Sequence, residues 1–290
     1  MDFYDEIISH LIDYKKRKFP DLHNGYWTKS NPPKELEYAF TPDDQDKNLI
    51  KYYYEDFSKS IFKLTIKQHM YFHHMNSSQA MCINFFYPLF AENRLGLITD
   101  FLGFSQDIIA YETVAFEKIS VIDSIDKRRP TNFDFYFETV TGKKLFLEIK
   151  YTEYDFGKAP KDSTNHKLFD KDRIEKFTTV YKNHLSAIKP KYQEMNMFLS
   201  NYQIMRNLIH IGDNSYLVFI YPEGNEKIKQ GAQKAKNEIV TDRLVSNFFA
   251  IEWEDIFKYV QKNVYESKLI SQLNEFADKY FINSRKEGKY

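Results

Sequence analysis

The sequence predicts an α/β fold, a sheet with helices before it, between its strands and after it. Three observations predict this. The hydrophobic period changes from helical to strand-like near residue 111. FDFYFETVTGKKLFLEIKYTE, residues 133–153, reads as two strands joined by a Thr141-Gly142 turn. SYLVFIY, residues 215–221, is a short apolar run of the kind found in strands covered on both faces.

The elements follow in order. Residues 2–18 place Ile7, Ile8, Leu11, Ile12 and Tyr14 at helical spacing, and Pro20 ends that helix. Residues 21–44 hold Gly25, Pro32, Pro33 and Pro42 and read as an irregular connector. Residues 45–68 predict a helix with Leu49, Ile50, Tyr53, Tyr54, Phe57, Ile61 and Leu64 as its buried stripe. Asn76-Ser77-Ser78 is a helix cap. The helix after it, QAMCINFFYPLFAEN, is apolar nearly all round and so belongs in a core, with Pro88 as a kink site. Gly96 interrupts it, and a shorter helix is expected over 97–109.

Strands over 111–122, 132–140 and 143–151 then form a meander. Alternation puts Phe133, Phe135 and Phe137 on one face, and Leu145, Leu147 and Ile149 toward the core. A polar loop with Gly157 and Pro160 leads to helices over 166–187 and 191–210, separated by Pro190. After the strand at 215–221, Pro222-Glu223-Gly224 is a turn. The remainder is mainly helical, with a strand at 247–252. The expected organisation is a helical N-terminal extension over 1–75, a core over 76–225 and a mainly helical C-terminal part over 226–290 packed on that core.

Composition narrows the function. With 290 residues and 42% hydrophobic content, the chain can bury a full core. Lys+Arg and Asp+Glu balance at 41 each, which argues against a surface coated in basic charge and leaves a local basic cleft open. Cys82 is the only cysteine, so neither a disulfide framework nor a cysteine-based zinc site can form within the chain. MDFYDEIISHLIDYKK carries acids where a secretory leader needs cations, so the expected location is the cytoplasm. No apolar run approaches the ~20 residues of a membrane span. The many Tyr and Phe residues read as core packing rather than as base-stacking platforms.

The chemistry is concentrated in Asp134, Glu148 and Lys150. Glu148 and Lys150 point the same way from their strand, while Leu147 and Ile149 point the other way. Two acids and a lysine in the apolar middle of a sheet are costly to bury without partners. A divalent cation and a phosphate are such partners. Mg²⁺ binds through one or two carboxylates plus water and phosphate oxygens. A bare Glu-x-Lys pair is equally a solvated strand face with a surface ion pair. Context sets this one apart: an apolar strand, a preceding hairpin strand with its own Asp, then helices and a further apolar strand.

With that context the segment resembles the PD-(D/E)XK superfamily of restriction-endonuclease-like proteins, and within it a group of bacterial restriction-endonuclease-like nucleases. The resemblance spans roughly 70–222. It rests on NSSQAMCINFFYPL (76–89), AFEKI (115–119), NFDFYF (132–137), LEIKYTE (147–153) and YQIMRN (202–207). Asn132-Phe133-Asp134 stands where Pro-Asp is often found. The resemblance implies a restriction-endonuclease-like core, a mixed central sheet flanked by helices. It implies a Mg²⁺-dependent endodeoxyribonuclease, with Mn²⁺ able to substitute, in a restriction or phage-defence setting. Asp134 and Glu148 then match the metal ligands and Lys150 the catalytic lysine. A further acid is placed at Glu117 on the first strand, with Glu92 at the end of the apolar helix as its rival. Gln203, following the core helix, is expected to organise the site or touch the phosphate. The expected partner is double-stranded DNA, and a homodimer would pair two sites to cut both strands. The alternative is a nucleic-acid-binding or protein-interaction module on the same fold without the chemistry.

Other features read as structural. Gln203, Arg206 and Asn207 share a helix face by spacing. Glu153 returns to the face of Glu148 by alternation, in a supporting role. His69, His73 and His74 lack an HExxH pattern and a third ligand nearby, so packing is expected rather than metal. KIKQGAQKAK, 227–236, reads as a solvated helix face that could alternatively meet a DNA backbone. Alanine at Glu148 or Lys150 is expected to abolish cleavage with melting near wild type.

Overall fold

The computed structural model describes residues 2–27, 29, 31–124 and 130–282. The chain divides into two compact units, Met1–Asp107 with Glu254–Tyr290, and Ile108–Trp253. The compact units part at 107/108, within the expected core, and at 253/254, within the expected C-terminal part. Residues 283–290, part of the expected C-terminal helical stretch, lie outside the described residues.

In the first unit, helix Phe3–Lys18 starts where Asp2 accepts from the Asp5 N–H, and it buries Ile7, Leu11 and Tyr14. The stretch read as a connector contains β1 (Gly25–Trp27) and β2 (Lys34–Leu36), an antiparallel pair too short to show a period. The single helix expected over 45–68 is a 3₁₀ turn, Pro42–Asn48, followed by helices Lys51–Lys59 and Ile61–Thr65. The two helices part at Ser60, whose hydroxyl bonds back to the Phe57 carbonyl at 2.7 Å. Helix Ser78–Ala91 is capped by Ser77 and buried along Gln79–Leu89, as its all-round apolar sequence requires. Gln79 and Asn84 are its buried amides, and Asn84 accepts from the Ile50 N–H and donates to the Asn48 carbonyl. Helix Gly96–Phe101 is shorter than the expected 97–109, and helices Trp253–Lys262 and Ser267–Tyr280 complete the described helices at the C-terminal end.

The second unit is built on β3 (Ile109–Ile119), β4 (Asn132–Thr139), β5 (Lys144–Ile149), β6 (Ser215–Tyr221) and β7 (Phe248–Glu252), ordered β3-β4-β5-β6-β7. The first two junctions are antiparallel and the last two parallel, giving the expected mixed sheet. Gly142 makes the β4–β5 turn in the left-handed region, at φ +86°. In the register Phe135 faces Leu147, which faces Val218, and all three are fully buried. On the opposite face Phe146, Leu217 and Phe219 join a second cluster with Phe156, Phe177, Tyr181, Phe198, Leu208 and Ile228. Helices Lys171–Thr179, Met195–Ser200, Tyr202–Leu208 and Glu226–Lys234 pack there.

Two expectations change in this unit. The helices expected over 166–187 and 191–210 are broken into those shorter pieces. Lys171–Thr179 stops at Thr178-Thr179-Val180, where β-branching crowds the turn and both threonine hydroxyls bond back to the carbonyls of Ile174 and Glu175. Phe133 also leaves the face of Phe135 and Phe137. It packs against Phe146 and His210, with ring centroids at 4.7 and 4.8 Å. The reason is local. The β4–β5 ladder ends at Phe135–Leu147, and β3 carries a left-handed residue, Glu117, opposite this stretch.

A buried polar network ties the β3–β4 connection to the helical layer. Asp123, fully buried, accepts from the Thr131 N–H and hydroxyl, the Tyr181 hydroxyl at 2.8 Å and Lys176 Nζ at 3.2 Å. Arg206 Nε donates to the same Thr131 hydroxyl.

Candidate active site

β5 ends in a charged pair. Glu148 and Lys150 are 6% and 5% exposed, and Lys150 Nζ donates to Glu148 Oε1 at 2.9 Å. One further step of the β4–β5 register would set Asp134 opposite Glu148. There the ladder gives way, and Asp134 Oδ2 accepts the Ile149 N–H at 2.6 Å. Asp134 is half-buried. On the other side of β4, Glu117 on β3 is half-buried and accepts weakly from Asn132 Nδ2 at 3.4 Å. Its φ of +53° is strained for a residue with a side chain. Adjacent strands β3, β4 and β5 thus bring three acids and a lysine together at the fork where the strands part.

The electrostatics match that crowding. Burial, reinforced by the Glu148 and Glu117 carboxylates, pushes the Asp134 carboxyl well above its usual range, against the pull of Lys150. For Lys150, burial disfavours the charge, but Glu148, Glu153 and Asp134 outweigh it and hold the ammonium above its ordinary pKa. Lys150 is therefore a persistent cation at neutral pH.

A shell of distant residues holds Lys150. Its carbonyl accepts from Trp253 Nε1 at 3.3 Å, and its ammonium sits 5.9 Å from the centre of the Phe156 ring. Gln203, with its amide nitrogen donating to the Phe156 carbonyl, accepts from Lys150 Nζ at 3.2 Å. Glu153 accepts from the Tyr151 N–H, and Asn225 Nδ2 donates to the carbonyls of Tyr151 and Glu153. Asn225 is also the cap of helix Glu226–Lys234, so one side chain fixes both the helix start and the chain leaving β5. Gly231 in that helix lets Phe156 approach, since a Cβ there would lie 2.9 Å from the ring.

The structure brings Asp134, Glu148, Lys150, Glu117 and Gln203 together. It separates others that the sequence grouped. Arg206 shares a helix with Gln203 but reaches Thr131 and Asp123, and Asn207 is buried. Glu92, the rival acid, accepts from the Tyr53 hydroxyl at 2.6 Å within the first unit. His73 and His74 pack edge to face, and His74 stands among the rings of Trp27, Tyr38 and Tyr71. In 227–236, Lys229 pairs with Glu252 at 2.9 Å and Lys227 stacks over Tyr154. Sequence reasoning missed Trp253 and Asn225, which lie far from β5 in the chain, and Phe156, in the loop that follows it. Only Asn225, standing before a helix after a Pro-Glu-Gly turn, left a capping signal.

Among the described residues no group of three or more His, Cys, Asp or Glu side chains stands ready to hold a metal ion. Mg²⁺ needs only one or two carboxylates, and Asp134 and Glu148 are adjacent oxygen donors. Asp134, pushed up by burial and by neighbouring acids, is a carboxyl whose ionised form a cation would stabilise. The residues fit the ion as a two-carboxylate site. No helix among the described residues is long and apolar enough to cross a membrane.

No curated protein and no solved structure matches this chain. A family model described as restriction endonuclease associating with ARP matches residues 9–281. That match takes in both compact units and every residue of the site, and the chain belongs to this restriction-endonuclease-like family, REase-ARP.

Proposed function

We propose that the protein is a Mg²⁺-dependent endonuclease of the PD-(D/E)XK kind that hydrolyses phosphodiester bonds in double-stranded DNA. The observation that supports this best is the meeting of Asp134, Glu148 and Lys150 where β4 and β5 part. Asp134 and Glu148 would hold the ion, with Glu117 beside them as a further acid. When bound, Mg²⁺ supplies positive charge at the phosphate and acidifies a coordinated water. Lys150 sits beside the carboxylates that would hold the ion, its ammonium donating to Glu148. Its part is to donate to a phosphate oxygen or to orient the attacking water. Gln203 and Phe156 keep the ammonium aimed while it exchanges Glu148 for substrate. Pairing two copies would place one site on each DNA strand, as many restriction enzymes do.

Burial alters the obvious test. The expectation that alanine at Glu148 or Lys150 leaves melting unchanged does not fit a buried pair. Removing one partner strands the other charge, at about 3–5 kcal/mol. The near-isosteric Glu148→Gln and Lys150→Met keep the packing, and each rate is normalised to the folded fraction read from circular dichroism. Plasmid incubated with wild type and Mg²⁺ or Mn²⁺ is expected to be cut, and to stay intact with chelator or with either variant. Equal cutting by wild type and both variants, or cutting that ignores chelator, would refute this assignment.

A further inference from the structure

The first unit contains a cavity of about 560 Å³, within the size range of small-molecule sites. Tyr14, Phe19 and Tyr54 supply aromatic walls, and Lys47, Lys51 and Lys279 supply cations. Lys279 is the unusual member. It is 1% exposed, and its ammonium donates to Asn48 O and Asn48 Oδ1, each at 2.6 Å. An ammonium has three donors, so these bonds leave one over. Neither acceptor carries charge.

Four acids line the same cavity: Asp43 is exposed, Asp44 accepts from the Thr41 hydroxyl at 2.8 Å, and Asp46 and Glu275 are paired with cations. Glu275 takes Lys18 at 2.8 Å and the Tyr14 hydroxyl at 2.5 Å, and Asp46 takes Lys63 at 2.8 Å and the Tyr54 hydroxyl at 3.0 Å. Burial accordingly pulls the Lys279 pKa down to about 7, with Glu275 opposing only in part. A buried ammonium without a paired anion is costly. An ammonium that only closed the end of the 3₁₀ turn Pro42–Asn48 would need no cavity beside it.

We propose that this cavity binds the oxyanion of a small molecule, a phosphate or a carboxylate, on the ammonium of Lys279 with Lys51 at the rim. The anion would take the donor left over and supply the missing negative charge. The aromatic walls would hold the rest of the ligand.

The test is calorimetric titration of the full-length protein with inorganic phosphate and, separately, acetate, with chelator present so that no metal-held anion contributes. Saturable one-site binding is expected, weakened about tenfold by Lys279→Met, the loss of one charge-assisted hydrogen bond. Lys51→Ala, at an exposed position, should weaken it a few-fold without touching the core. Tighter phosphate identifies a phosphorylated ligand, and tighter acetate a carboxylic acid. A second readout is reductive methylation of Lys279 followed by peptide mass, which the better anion should slow. The proposal falls if wild type binds neither anion saturably, or if binding is the same in both variants. Should Lys279→Met not fold, unchanged binding in Lys51→Ala together with unprotected methylation of Lys279 overturns it.

Discussion

Two aspartates in the second unit, eleven residues apart, experience opposite environments. Asp123 is wholly buried, yet it receives the Thr131 N–H and hydroxyl, the Tyr181 hydroxyl and Lys176, and these donors hold its carboxyl below the usual range against the cost of burial. Asp134 receives the Ile149 N–H but faces the Glu148 and Glu117 carboxylates, and its carboxyl is pushed up. The first arrangement surrounds a carboxylate with donors; the second sets carboxylates against one another. The difference teaches where this molecule invests stability and where it keeps chemistry in reserve.

Four experiments break or sharpen that contrast. The largest effect belongs to Asp134→Asn or Glu148→Gln, expected to lower plasmid cleavage by on the order of 10²–10³-fold or more, read from initial rates with Mg²⁺. Next, Asp123→Ala leaves Lys176 buried without its anion and should cost about 3–5 kcal/mol in urea unfolding. It is expected to act on cleavage only through the folded fraction.

The third is pH. The folded pKa of Asp123 lies below its unfolded value, so its contribution is present above the ordinary carboxylate pKa of ~3.9 and is lost as pH falls through the folded pKa. Asp134 has the opposite sign. Its folded pKa is raised, so its contribution is full below the unfolded pKa and is lost as pH rises through the folded one. Asp134→Asn should therefore raise the neutral-pH melting temperature slightly while abolishing cleavage. A fall in melting temperature would contradict the electrostatic reading of this site. The smallest effect is Gly231→Ala. Mid-helix alanine normally stabilises, but here its Cβ meets Phe156 at 2.9 Å, so a net loss of about 1 kcal/mol is expected in thermal unfolding. Cleavage should fall with it, because Phe156 backs Lys150.

Much of this site was legible in the chain. Strict alternation in NFDFYF and LFLEIK, plus a Thr-Gly turn, is enough to put Glu148 and Lys150 on one face and Asp134 next door. Glu117 was reachable only by resemblance, since nothing in AFEKI announces a left-handed residue. Gln203 and Arg206 were grouped because a helix face is all that spacing reports. Which neighbour each side chain reaches depends on the chain folded around it, and they reach different ones. The broken helices between 171 and 208 were hidden for a related reason, because apolar periodicity continues across a short break.

The sequence alone determined the alternation, the turn and the apolar surroundings, and with them that acids and a lysine would meet on neighbouring strands. These are local properties, set by a two-residue period and by backbone sterics. Tertiary structure alone decided that Glu148 and Lys150 are buried as a pair, that Trp253, Asn225, Phe156 and Gln203 clamp them, and that Lys279 stands over a cavity. Burial and long-range hydrogen bonds depend on what packs against a residue from far along the chain, and desolvation turns an ordinary Asp, Glu or Lys into one with a shifted charge.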